Sequence, residues 1–324
     1  MRKKNLLIAT LLFLGSSISF IACNKENVSN PNNNNTAHLK GLFQNLKQTP
    51  QAFTIEAGTH QTITGAKGTL IQFNPNSFKD VNGNIISSGT LQVSLSEMYT
   101  PGDMIANRIT TTTFNNRLLT SGGCINIKVT NASGQEVRAG SYTLGFKQPG
   151  FNDQNMALFY GEEIEDASGA RVTWLDDATD TVERTIKLEQ TNNNYYLFDS
   201  CTRFNWVNCD FFYTAPDPKT DIKVVMPSAT YNYNSTQVYV VFPSINATST
   251  LNTYDSITNT FSLGYSGYYL PVGTSIKIVV LSTLADGSYA MQVMDNITVT
   301  NNMTISSNPQ SQSIAQIQAA LQSL

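Results

Sequence analysis

The chain has 324 residues, 13% charged and 40% hydrophobic, with two histidines, four cysteines and a formal charge of −3. Its charged share is about half the ~25% usual for soluble domains, and Asn, Thr, Ser and Gln fill the deficit. These figures argue against a nucleic-acid binder that neutralises phosphates, a disulfide scaffold and a disordered chain, and they leave little material for His-based metal or nucleophilic chemistry.

Residues 1–22 read as a secretory signal. Arg2, Lys3 and Lys4 form a positive start, and the apolar stretch from Leu6 to Ala22 is 17 residues interrupted by Gly15, Ser16 and Ser17. That is short of the ~20 residues a spanning helix needs and ordinary for a removed signal. Phe20-Ile21-Ala22-Cys23 then resembles the lipobox of bacterial lipoproteins, with Phe20 where Leu is usual. The resemblance implies cleavage before Cys23 and acylation of its thiol, and several acyl chains make a stable anchor. The processed chain would carry 17 basic against 23 acidic residues. Residues 23–36, with four consecutive asparagines, read as a flexible tether.

After the tether, Leu39, Leu42, Phe43 and Leu46 fall at helical spacing, with Thr36 as N-cap. From Phe53 the period becomes two. Leu91, Val93 and Leu95 alternate with polar residues, Cys124 to Thr130 repeats the pattern, and Tyr142 to Lys147 follows it more loosely. Asn82-Gly83-Asn84 and Ala132-Ser133-Gly134 supply turns. Short strands at this spacing predict antiparallel sheets packed as a sandwich.

Gly68 to Phe78, Asp80 to Asn84 and Leu91 to Tyr99, continued through Asp103-Met104, Thr110 to Thr113, Leu118 to Gly123 and Ile125 to Val129, resemble a recurrent domain of Bacteroidota lipoproteins. That domain is distantly similar to ZU5 domains. The resemblance covers roughly residues 50–150 and rests on turn and core residues, so it implies a β-sandwich and hardly any chemistry. Phe204 to Phe212 is similar to a GWINCDRF segment that follows this domain in such lipoproteins, with Asn205 for Gly and Phe211 for Arg. Residues 150–215 then supply strands completing the first domain, so that 37–215 form one unit.

Pro216-Asp217-Pro218 is a stiff break. Residues 216–324 read as a second, smaller immunoglobulin-like sandwich. Within it Ile276 to Val280 is an apolar run expected to be buried on both faces. A terminal helix follows, carrying Ile314, Ile317, Leu321 and Leu324 on one face, with Ser311 or Ser313 as cap. The fold class is therefore all-β: two antiparallel sandwiches with short N-terminal and C-terminal helices.

The chemistry is sparse. No HExxH, CxxC, His-x-His or Gly-x-Ser-x-Gly pattern occurs, and neither a metal site, a cofactor nor an enzymatic activity is expected. The carboxylates at 162–166 and 176–180 have oxygen ligands suited to calcium but no loop motif, and acidic turns are commonly just solvated. Carboxylate pairs of a hydrolase, from Glu97, Asp103, Glu162 and Asp176, would carry no sequence spacing. Cys201 and Cys209 either bridge neighbouring strands or are two buried thiols. Cys124, inside an alternating strand, reads as core. Asp180-Thr181-Val182 and Asp255-Ser256-Ile257 resemble the O-glycosylation sequon of Bacteroidota envelope proteins, which implies Thr181 and Ser256 as acceptors. Tyrosines enrich residues 231–269. Tyr265, Tyr268 and Tyr269 are candidate ligand aromatics, although tyrosine also simply favours strands.

The expectation is a non-catalytic outer-membrane lipoprotein of the bacterial envelope, facing the periplasm or the medium and serving adhesion, assembly or ligand binding. Its partners are the membrane, through the lipid anchor, and a glycan or envelope protein, not nucleic acid. A glycan binder using the Tyr-rich loops of the second domain is the alternative, and a carboxylate-based hydrolase a remoter one.

Overall fold

A computed structural model describes residues 31–147, 156–166, 168–175, 186–191, 193–263 and 270–324. The period-two alternation builds a first sandwich. Leu91, Val93 and Leu95 of the strand Thr90–Met98 are buried, and Val93 and Leu95 lie opposite Val129 and Ile127 on Leu119–Asn131. A seven-stranded sheet results, in the order Gln51–Glu56, Thr90–Met98, Leu119–Asn131, Asn205–Phe212, Ala157–Asp166, Gly169–Trp174 and Ile109–Thr113. The last of these runs parallel to its neighbour; the other pairings are antiparallel. Facing it is a five-stranded sheet of Ile186–Thr191, Asn193–Cys201, Tyr142–Lys147, Leu70–Phe73 and Gln61–Thr64. Between them Phe73 lies 4.8 Å from Phe78 and Tyr142 5.1 Å from Phe204, ring centre to ring centre.

The second sandwich pairs a four-stranded sheet, in which Ile222–Val225 is flanked by Thr260–Ser262 and Met303–Ser306, with a five-stranded one centred on Ser275–Thr283. The apolar run in that central strand has a physical reason. Ile276, Ile278 and Val280 fill the second core, while Val279 and Leu281 on the opposite face meet helices. A strand covered on both sides has no reason to alternate.

One of those helices is Pro31–Leu46, with Leu39, Leu42, Phe43 and Leu46 all buried. It begins ahead of the expected cap, so Thr36 lies inside it, and residues 31–36 are helical instead of part of a tether. It packs on Tyr239, Val241, Val279 and Leu281 of the second sandwich and also reaches the first, through Ile105, Ala106 and Arg108, so it bridges the two. Burying each of its four apolar side chains is worth roughly 1.5–3 kcal/mol, which holds a helix that is marginal alone. The other is Ile314–Gln322, capped by Ser313. The Ser313 hydroxyl accepts from Gln316 N at 3.3 Å, and the Gln316 side chain accepts from Ser313 N at 2.9 Å.

The alternative of a Cys201–Cys209 bridge is corrected. Both are buried thiols, as is Cys124. Cys201 ends a strand of the five-stranded sheet, the chain crosses over at 202–204, and Cys209 stands four residues into Asn205–Phe212 of the opposite sheet. The two cysteines thus stand on strands of different sheets, and both thiols are free. Burial raises the Cys124 and Cys209 thiols well above their ordinary range, which leaves them unreactive.

The two sandwiches meet along Ile109–Thr113 and Ala247–Thr250. Thr248 N donates to Thr111 Oγ1 at 2.9 Å, and Thr248 Oγ1 donates to the Ile109 carbonyl at 3.2 Å. Asn246 Nδ2 donates to the carbonyls of Tyr99 and Ser121, each at 3.0 Å. Leu118, from a hairpin of the first sandwich, is buried in the second core.

Candidate functional site: a cleft between the sandwiches

Beside that junction opens a cleft of about 400 Å³, within the range of small-molecule sites. One wall comes from Ile109–Thr113 and the hairpin that follows it. Trp174 Nε1 donates to the Thr110 carbonyl at 2.7 Å and Phe114 N donates to the Trp174 carbonyl at 2.8 Å, so the edge strand is held and Phe114 is delivered to the rim. Asn116 makes the turn with φ of 59°, a conformation asparagine tolerates. Thr110 and Thr112 share a hydroxyl contact of 2.8 Å. The other wall belongs to the second sandwich and includes Thr236, Gln237, Thr250, Asn252 and Tyr233. Phe114 is 69% and Tyr233 59% exposed, high values for aromatic rings.

Arg108, 4% exposed, lines the cleft floor. Its guanidinium donates to both oxygens of Asp166, at 2.8 and 2.9 Å, and to the Gly169 carbonyl, and it lies 5.3 Å from the centre of the Phe43 ring. Burial opposes its charge, but the Asp166 carboxylate and the nearby Tyr239 hold its pKa above the ordinary arginine value. Burial likewise pushes the Tyr239 phenol up, against the pull of Arg108. With Arg171 also on the wall, two guanidinium groups face one carboxylate amid threonine hydroxyls and amides. These groups suit recognition of a polar ligand, with ring faces at the entrance.

The acidic stretch at 162–166 is distributed across separate partners. Glu165 pairs with Lys40 at 2.6 Å, Asp166 with Arg108 and Arg171, and Glu163 accepts from the Trp206 indole at 3.2 Å. Among the described residues no three metal-ligating side chains converge. Of the carboxylates weighed for hydrolysis, Glu97 accepts from Lys67 N and Thr69 N at 2.9 Å and from Gln51 Nε2 at 2.7 Å. Asp103 caps the helix Pro101–Ala106 and pairs with Lys67. Both hold local structure. Glu162 is exposed, and Asp176 lies outside the described residues.

Cys23, Thr181, Tyr265, Tyr268 and Tyr269 also lie outside the described residues. Ser256 sits in an exposed turn, where Asp255 accepts from Ile257 N and Thr258 Oγ1. The other second-domain tyrosines divide. Tyr239 is fully buried and Tyr254 packs 4.8 Å from Phe261, as strand residues do, whereas Tyr233 stands at the cleft. Arg108 and Phe114 were not singled out in the sequence, since one cation and one ring carry no local pattern.

No protein-family model and no curated protein matches the chain. One solved structure with some likeness is the gamma-CGTase of alkalophilic Bacillus clarkii, at 10% identity and a TM-score of 0.18, covering 78% of this chain and 41% of that one. At that score the likeness carries no argument. Among the described residues no helix is long and apolar enough to cross a membrane.

Proposed function

We propose that this chain is a non-catalytic envelope lipoprotein, anchored by an acylated Cys23, whose paired sandwiches bind a ligand in the cleft between them. The lipobox-like Phe20-Ile21-Ala22-Cys23 and the ZU5-like stretch of residues 50–150 support the place and the family. The observation that carries the binding role is the cleft itself, where exposed Phe114 and Tyr233 flank a floor held by Arg108 and Asp166. A scaffold that fixes two aromatic rings at a polar recess is arranged for recognition, and loops on a rigid scaffold are where binding residues concentrate.

Two measurements test the reading. Labelled palmitate incorporates into the wild-type chain and not into Cys23→Ala; retention of residues 1–22 in the processed protein overturns the anchor. A photoreactive amino acid in place of Tyr233 yields adducts in intact cells, whereas one in place of the remote, exposed Ile85 does not; equal yields overturn the cleft. The position of Tyr233 also favours a second reading, in which the ligand is a glycan. In that case binding on a glycan array falls in Tyr233→Ala.

A further inference from the structure

Asn126, Trp206 and Gly161 form one row across the seven-stranded sheet, because Trp206 pairs with Asn126 on one side and with Gly161 on the other. Their chain neighbours Ile125, Ile127 and Val207 are in the core, so alternation turns this row to the outer face. Trp174 continues the row beyond Gly161, and there the face is covered, with Ile109 of the same sheet and Met104 from the helix Pro101–Ala106 packed in one cluster with the Trp174 ring. The rest is an open groove of about 430 Å³ that shares no lining residue with the interdomain cleft.

The groove is built. A Cβ on Gly161 would come within 2.8 Å of Trp206 Cβ and 2.7 Å of Trp174 Cζ3, so glycine keeps the floor low beside the indole. The Trp206 indole N–H donates to Glu163 Oε2 at 3.2 Å, which fixes the orientation of the partly exposed ring. Asn126 is only 8% exposed, yet its Nδ2 has no hydrogen-bond partner. A buried amide donor without an acceptor is costly, and because Asn126 is one of the residues lining the groove, a turn of its side chain brings Nδ2 to a ligand there. The charged residues of the lining are Lys128, Glu136 and Glu163, two carboxylates against one ammonium.

We propose that this face binds a neutral oligosaccharide, with Trp206 as the stacking platform and Asn126 as a buried donor to a sugar hydroxyl. An indole face offers apolar area for the C–H face of a pyranose while its edge stays hydrogen-bonded. The surrounding carboxylates accept from hydroxyls, and their excess over Lys128 disfavours acidic polymers.

Intrinsic fluorescence makes the test direct, because the chain has two tryptophans and Trp174 is fully buried. Acrylamide quenching of the full chain in detergent therefore reads Trp206. Cellohexaose, laminarihexaose, maltoheptaose, xylohexaose and mannohexaose are titrated, with oligogalacturonide as the acidic comparison. At least one neutral oligosaccharide is expected to protect Trp206 saturably. By calorimetry Trp206→Ala abolishes that binding, Asn126→Ala weakens it about tenfold, and Trp206→Phe retains it. Should Trp206→Ala fail to fold, the contrast between Asn126→Ala and Trp206→Phe decides. Protection by none of the neutral sugars, protection by oligogalacturonide alone, or binding undiminished in Asn126→Ala overturns the proposal. Phe114→Ala and Tyr233→Ala leave the Trp206 signal unchanged, which separates this groove from the cleft.

Discussion

Asp210 is fully buried on Asn205–Phe212. Its Oδ2 accepts from Asn208 Nδ2 at 2.5 Å, while Oδ1 is left without a partner. Burial raises its carboxyl well above the usual range, against smaller pulls from Ser121, Asn208 and the Gly122 N–H. The folded chain therefore keeps a proton that the unfolded chain sheds near pH 3.9. Stability from this group is full below that value and falls as pH rises toward the raised folded pKa, by at most about 1.4 kcal/mol per pH unit. Asp210→Asn is expected to flatten that decline, so its urea midpoint gains on the wild type between pH 4 and pH 8. Parallel midpoints across that range would contradict a neutral buried acid. Glu97 is the contrasting residue. It is buried too, but three donors converge on it, and Gly65 makes room, since a Cβ there would come within 2.5 Å of the carboxylate.

Among the elements, the two short helices Pro101–Ala106 and Ile314–Gln322 meet almost backbone to backbone. A Cβ on Gly102 would lie 1.8 Å from the Leu321 carbonyl oxygen. Gly102→Ala must push the terminal helix off its seat, and overpacking of this kind costs about 1–3 kcal/mol. Hydrogen exchange over residues 314–322 should accelerate in that variant more than exchange in the first sandwich. Uniform acceleration would mean that the contact does not act locally. The cap of the same helix was legible in advance as a choice between Ser311 and Ser313. Geometry selects Ser313 because its partner Gln316 stands three residues on.

The whole molecule depends on how the sandwiches dock. Asn246 reaches across with two hydrogen bonds, from a left-handed backbone position with φ of 49°. Asn246→Ala strips partners from the Tyr99 and Ser121 carbonyls and should weaken docking by about 1–3 kcal/mol. Calorimetry should then show the unfolding endotherm broadening or splitting; an endotherm as sharp as the wild type's would place the docking energy elsewhere, with Leu118 the next contact to truncate. The cleft shares this junction, so adducts at position 233 should fall in the same variant.

Local periodicity was enough to reveal the strands around Leu91, Val93 and Leu95, the doubly buried run at Ile276 to Val280 and the apolar faces of both helices. Those features follow from which side of one element meets water, and a pattern a few residues long records that. Which element meets which is another matter. Lys40 finds Glu165 and Asn246 finds Ser121 across 125 positions of chain, and no short pattern marks either pair. For the same reason the separation of Cys201 and Cys209 into opposite sheets, the seating of the N-terminal helix across both sandwiches and the placing of Phe114 and Tyr233 on one cleft were decided only by tertiary packing.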